Sequence, residues 1–173
     1  FLMLYMCEFF SDELSIFRVG DVQAAMTDSC LMHVDRMVNG GMDIGRHRDL
    51  SEIVLSEDVK TDNLVYTREM LTLKKTPYEE QGDFVLSLMQ DWTINSFMID
   101  RTGIGDPVYE RLAKRHPSTI YGVWMTQDWK SKLVLASMRL FERKRIKIPN
   151  DRDLVAQLHS LKRKPTSTGF TYD

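Results

Sequence analysis

The sequence predicts one α/β domain whose mixed central sheet opens with a three-stranded antiparallel meander, continues with alternating helices and strands, and carries helices on both faces. Three observations predict it. Residues 50–59, LSEIVLSEDV, and 63–73, NLVYTREMLTL, alternate apolar and polar side chains on either side of a KTDN turn, the period of half-buried strands joined as a hairpin. After Pro77, helical and extended patterns take turns to the end of the chain, as they do when helices cover a sheet. Two short apolar runs, one ending at Asp43 and one at Asp100, fit central strands lying side by side.

The elements follow in order. Residues 1–37 read as a lead-in, with a short helix over 18–26, RVGDVQAAM. The apolar opening FLMLYMCEFF is interrupted by Glu8 and is too short to span a bilayer; it reads as a buried segment continuing from something upstream. Residues 39–43 run extended, and the meander follows. Pro77 starts a helix in which Tyr78, Phe84, Val85, Leu88 and Met89 share one side. SFMID, 96–100, is a buried strand. RTGIGDP is a turn into a helix from Pro107 to Arg115, with proline at an early position where a missing N–H costs nothing. Residues 118–126 read as a strand, 128–144 as a long amphipathic helix, RIKIP as a short strand, and 150–161 as a helix capped by Asn150 or Asp151. The tail reads as the start of a hairpin.

With 173 residues, 43% hydrophobic and 28% charged, the chain is long enough to bury a core. The net charge of -2 excludes a uniformly basic protein. The charge is uneven, however: residues 139–164 hold nine Lys or Arg against three Asp or Glu, which suits a protein with one face toward a polyanion and another gathering carboxylates around cations. Cys7 and Cys30 form no zinc or disulfide pattern, so a reducing, cytoplasmic setting is expected. The phosphate-binding pattern GxxxxGK[ST] is missing.

Asp43 and Asp100 are the chemical candidates. Singly, each is a turn-starting aspartate. Jointly, on neighbouring central strands, they form a hard-oxygen pocket suited to Mg²⁺ or Mn²⁺, and two such ions about 4 Å apart activate water and stabilise a leaving phosphate-ester oxygen. Asp49 is an auxiliary candidate or a cap. Arg46, His47 and Arg48 are phosphate-contact candidates beside it, as are Lys130 and Lys132 at the start of the long helix, and Lys162, Arg163 and Lys164 before the hairpin. Arg101 is expected to pair with an acid in the site. Gly103 and Gly105 serve a tight strand-to-helix turn. Trp92, Trp124 and Trp129 are expected to be packing residues rather than base-stacking ones. His33, His116 and His159 show no ligand spacing.

The segments GGMDIGRHRDLSEIVL, TPYEEQ, MIDRTGIGDPVYERL, YGVWMTQDWKSKLVLASMRLFERKRIKIPND and LVAQLHSLKR together resemble the nuclease domain of tailed-phage terminase large subunits, most closely the Mu-like branch, over residues 39–172. YMCEF, 5–9, is similar to the point where those proteins leave their ATPase domain. The resemblance implies an RNase H-like fold over 38–173, with 1–37 leading from an upstream ATPase domain of the same polypeptide. It implies two-metal cleavage of concatemeric double-stranded DNA in an infected bacterial host or lysogen, with the terminase small subunit and the portal or procapsid as partners. Asp43 and Asp100 match the family's strand ligands, and Asp49 matches a supporting acid. A third family ligand follows the final hairpin; Asp173 precedes that motif and is not assigned to it, so the fragment is expected to lack this carboxylate. The alternatives are a non-catalytic DNA-binding or portal-docking module and another RNase H-like enzyme such as a junction resolvase.

Overall fold

The computed structural model describes residues 15–45, 50–166 and 169–172, with side chains as far as residue 164. In chain order the elements are α1 (Val19–Ala25), β1 (Val38–Asp43), β2 (Leu50–Val59), β3 (Leu64–Lys74), α2 (Tyr78–Asp91), β4 (Ile94–Asp100), α3 (Asp106–Arg115), β5 (Ile120–Val123), α4 (Gln127–Glu142), β6 (Ile146–Lys147), α5 (Arg152–Ser160), β7 (Arg163–Thr166) and β8 (Gly169–Tyr172). Six strands form one sheet in the order β5-β4-β1-β2-β3-β6, and β7 pairs with β8 separately. The meander β1-β2-β3 is antiparallel, whereas β4 lies parallel to β1, and β5 parallel to β4. The predicted neighbours at the sheet centre are therefore neighbours.

Alternation explains which face is covered. In β2, Ile53 and Leu55 point one way and are fully buried; Val38, Met42, Phe97 and Ile99 from β1 and β4 join them against Val85 and Leu88 of α2 and Val108 and Leu112 of α3. Each such fully buried side chain contributes about 1.5–3 kcal/mol. Gly40 belongs to this layer because a Cβ there would lie 2.2 Å from the Phe97 ring, so β1 leaves room for the largest core side chain.

The other face is crossed by α4. That helix leaves β5 at one edge of the sheet and delivers the chain to β6 at the other. Sixteen residues make a helix about 24 Å long, and the five strand spacings from β5 to β6 also sum to about 24 Å. Its far end is fixed by a second cluster in which Phe141 meets Phe17 edge-on at 5.0 Å, with Ile16, Val22, Ala25 and Ile148 around them.

Several boundaries differ from the sequence reading, for local reasons. The fifth strand stops at Val123 rather than 126, because the Met125 N–H donates to Thr102 Oγ1 and Thr126 turns to cap α4 by accepting from the Trp129 N–H. Helix α4 ends at Glu142 rather than 144. Lys144, at φ 56°, is left-handed, and the Lys144 and Arg145 N–H groups return to the carbonyls of Phe141 and Leu140, the paired closure of a Schellman motif. The RIKIP strand shrinks to two residues because Ile148 bonds instead to Ala25 and Thr27 beside the end of α1.

At the opposite end of β2, buried Glu57 accepts from Arg68 Nε at 2.8 Å and Nη2 at 2.7 Å, and from Arg36 Nη1 at 3.1 Å. Arg68 also donates to the Ser29 carbonyl. A charge at this depth persists only with such partners, and they bind the segment before β1 to the sheet.

Candidate active site

The parallel pairing of β1 and β4 runs as far as Met42 opposite Ile99. Asp43 and Asp100 are the next residue on each strand, at one level on chains about 4.8 Å apart. Met42 and Ile99 are buried in the α2/α3 core. Successive side chains alternate, so both aspartates face the α4 side.

A cleft of about 510 Å³ lies between that face and α4. Its floor is Gly41, Val54 and Met98, its wall is Trp129, Lys130 and Leu133, and its acidic end is Asp43, Asp100 and Glu52. The cleft is otherwise apolar. Met98, Trp129 and Leu133 each keep more than 40% of their surface, so helix and sheet do not close on one another there.

The chain after Asp100 is built to hold that carboxylate. Asp100 Oδ1 accepts from the Thr102 N–H at 2.7 Å, and Thr102 Oγ1 in turn accepts from the Met125 N–H at 2.8 Å. The Arg101 N–H donates to the Val123 carbonyl at 2.9 Å. Gly103 takes φ 80°, and a Cβ on Gly105 would lie 1.8 Å from the Asp100 carbonyl oxygen. Both glycines are thus demanded by the turn.

Arg101 departs from its expected partner. Its Nε reaches Asp106 at 2.5 Å, and its guanidinium stacks over the rings of Tyr109 at 4.2 Å and Trp124 at 5.1 Å. It points to the α3 side because residue 101 alternates with Asp100, so it braces the turn from behind and pairs with neither candidate ligand.

Asp43 carries the site's electrostatic signature. Desolvation in the cleft raises its carboxyl above the ordinary aspartate value, the Asp100 carboxylate raises it further, Lys130 and the Ile44 N–H oppose this, and Glu52 adds a smaller upward push. Glu52 is the direct cross-strand partner of Asp43 in β2, with Oε2 accepting from the Thr72 hydroxyl at 2.9 Å. Sequence reading missed it. As a polar position in an alternating strand it looks like solvent-facing filler until α4 is known to cross that face.

The remaining candidates separate. Lys130 lines the cleft; Lys132 lies outside its lining and pairs with Asp128 at 2.6 Å. Lys162, Arg163 and Lys164 are exposed at the base of the β7-β8 hairpin, whose second strand lies against α4. Arg46, His47, Arg48, Asp49 and Asp173 fall outside the described residues. The tryptophans divide: Trp92 is buried as expected, but Trp124 (52%) and Trp129 (41%) are exposed. They sit where the chain has left β5 and begun α4, at the rim rather than inside the sheet.

The donors fit a hard divalent ion in kind: two carboxylates at one level, one of them oriented, with a mutual repulsion that a cation relieves. Among the described residues no set of three His, Cys, Asp or Glu side chains is close enough to hold an ion, so Asp43 and Asp100 make part of a ligand shell.

A mixed sheet in this order, with helices on both faces and carboxylates ending its adjacent central strands, places the chain in the RNase H-like class of α/β folds. Residues 40–172 match the family described as "Terminase RNaseH-like domain", and the chain belongs to that family. Its fold is similar to the large terminase nuclease of thermophilic phage G20c with bound magnesium (TM-score 0.74, 14% identity, 93% of this chain and 87% of that one). It is also similar to the g2p large terminase nuclease domain of bacteriophage SPP1 with bound Mn (0.56, 15%, 86% and 87%). Against the HK97 bacteriophage large terminase the values are 0.67 and 10%, with 92% of this chain but 39% of that protein covered. At these identities the likeness is one of fold. No curated protein matches the sequence.

Proposed function

We propose that this domain is the metal-dependent endonuclease of a phage DNA-packaging terminase large subunit, cutting concatemeric double-stranded DNA during genome packaging. The observation that carries this reading is the placement of Asp43 and Asp100 at one level on adjacent strands, facing an open cleft. Metal-bound structures of similar nuclease domains support it.

Asp43 and Asp100 would hold Mg²⁺ or Mn²⁺, two ions in a complete site, with Asp49 assisting. Bound there, the metal supplies a water acidified to a nucleophile and charge stabilisation at the phosphate. The chain's own contribution is positional. Thr102 fixes one oxygen of Asp100, leaving the other to bind. Lys162, Arg163 and Lys164, together with Arg46 and Arg48, would grip the duplex backbone, a contact that carries no sequence information. The small subunit, the portal and procapsid, and an ATPase domain of the same polypeptide are the partners this reading implies.

Plasmid cleavage by the purified chain in Mn²⁺ and in Mg²⁺ tests it. Asp43→Ala and Asp100→Ala each abolish cutting; activity retained in both removes these residues from the site. The second reading is a DNA-binding or portal-docking module without nuclease activity, favoured by the lack, among the described residues, of three ligand side chains close enough to hold an ion. It predicts salt-sensitive duplex retention with no cleavage in any divalent ion. Four-way junctions cut in preference to linear duplex would instead indicate a resolvase.

A further inference from the structure

We propose that Lys130 is a catalytic cation, its ammonium group donating a hydrogen bond to a non-bridging oxygen of the phosphate being cut, while the other basic residues only hold the duplex. The inference rests on the nuclease reading and adds to it a residue acting at the reacting group. Among the described residues lining the cleft, Lys130 is the only cation, and it shares that cavity with Asp43, Asp100 and Glu52.

Its backbone is fixed one turn into α4, where the Lys130 N–H donates to the Thr126 carbonyl at 2.9 Å beside the Thr126 side-chain cap. Its charge reaches Asp43. Yet among the described residues it forms no ion pair, whereas Lys132, two residues on, is engaged by Asp128. A lysine left unpaired beside three carboxylates is held for a group that arrives later. With the charge of the carboxylates met by a divalent ion, Lys130 would be free to turn to the incoming phosphodiester, which brings a new negative charge into a cleft whose walls, Trp129, Leu133, Met98 and Val54, are apolar. Once a duplex covers that cleft and displaces its water, a charged donor there is worth more than in open solvent. No proton leaves the ammonium. It stabilises the charge that builds on the phosphoryl oxygens as water attacks phosphorus and the ester bond to the leaving oxygen breaks.

Lys130→Met, Lys130→Arg and Lys132→Met are compared by three measurements: single-turnover cleavage of a linear duplex in Mn²⁺, duplex affinity by anisotropy in Ca²⁺, and Mn²⁺ affinity by calorimetry without DNA. Lys130→Met is expected to cut about 100-fold more slowly while duplex affinity changes less than about three-fold, because many contacts share it. Its Mn²⁺ affinity rises by roughly two- to three-fold, since a competing cation has left the carboxylates. Lys130→Arg recovers cutting to within about ten-fold of the parent, and Lys132→Met behaves as the parent throughout. Parent-like cutting by Lys130→Met overturns the proposal. So does a loss of cutting accompanied by weaker Mn²⁺ binding, which would make the residue a support of the metal ligands. A parent chain that binds Mn²⁺ and duplex without cutting overturns the nuclease reading itself, and this assignment with it.

Discussion

Asp43 and Glu52 stand directly opposite each other across the antiparallel strands β1 and β2. Two like charges in that relationship oppose strand pairing, and Glu52 accepts a hydrogen bond from the Thr72 hydroxyl. With one cation, Lys130, against three carboxylates in the cleft, the broken local rule suits a site whose remaining compensation arrives with a ligand. Glu52→Gln is therefore expected to stabilise the metal-free protein slightly and to weaken Mn²⁺ binding by about three- to ten-fold, read by thermal melting and calorimetry. Unchanged metal affinity would leave Glu52 a bystander.

Asp43 gives a pH prediction with a definite sign. Desolvation, then the Asp100 charge, raise its folded-state value. A carboxyl raised on folding contributes stability that is fully present below its unfolded value and lost as pH rises through the folded one. Above that window the ionised side chain works against the fold. Asp43→Asn should accordingly melt higher than the parent at pH 7 without metal, by about 2 °C given its solvent exposure, with the advantage disappearing below the ordinary aspartate range. Melting curves across pH 3–8 decide it, and an advantage that grows toward acid contradicts the assignment.

Divalent ions are expected to reverse that order. A ligand present at 100 times its dissociation constant adds about 2.7 kcal/mol to the state that binds it. Saturating Mn²⁺ should raise the melting temperature of the parent and leave Asp43→Asn and Asp100→Asn unmoved. An equal rise in all three proteins would locate the ion elsewhere.

The glycines near the site should rank by what blocks them. Alanine at Gly105 meets the Asp100 carbonyl at 1.8 Å, which is backbone, whereas at Gly122 it meets the flexible Arg101 side chain at 2.1 Å. Gly105→Ala is expected to cost about 3 kcal/mol or more and to displace the Asp100 turn; Gly122→Ala about 1–2 kcal/mol, with loss of the Arg101 stack. Guanidinium denaturation of the two variants measures the order, and a milder Gly105→Ala refutes it.

Lys144 offers the opposite case, a substitution expected to help. It is left-handed at the position that closes α4, where glycine has no Cβ penalty. Lys144→Gly should gain about 0.5–1 kcal/mol in the same assay, and a loss would show that the lysine side chain contributes more than its backbone strain costs.

The meander was plain in the sequence because alternation has a two-residue period that survives any register; 50–59 is a strand over that full span. Asp43 and Asp100 were legible because each closes an apolar run before a glycine-bearing turn. What could not be read was anything that depends on α4 crossing the open face. Glu52, Met98 and Trp129 become cleft residues only through that crossing. The overlong fifth strand came from the same source: YGVWMT is apolar and aromatic throughout, and only the Thr102 to Met125 hydrogen bond shows where it turns.

Helix α4 is as long as the sheet is wide and is tied at both edges, by the Met125 N–H that donates to Thr102 just before its start and by the Phe141 cluster at its end. A beam pinned at both supports does not lift like a lid. On the nuclease reading, the gap that a duplex meets between floor and wall is then set by side-chain size at Met98, Trp129 and Leu133.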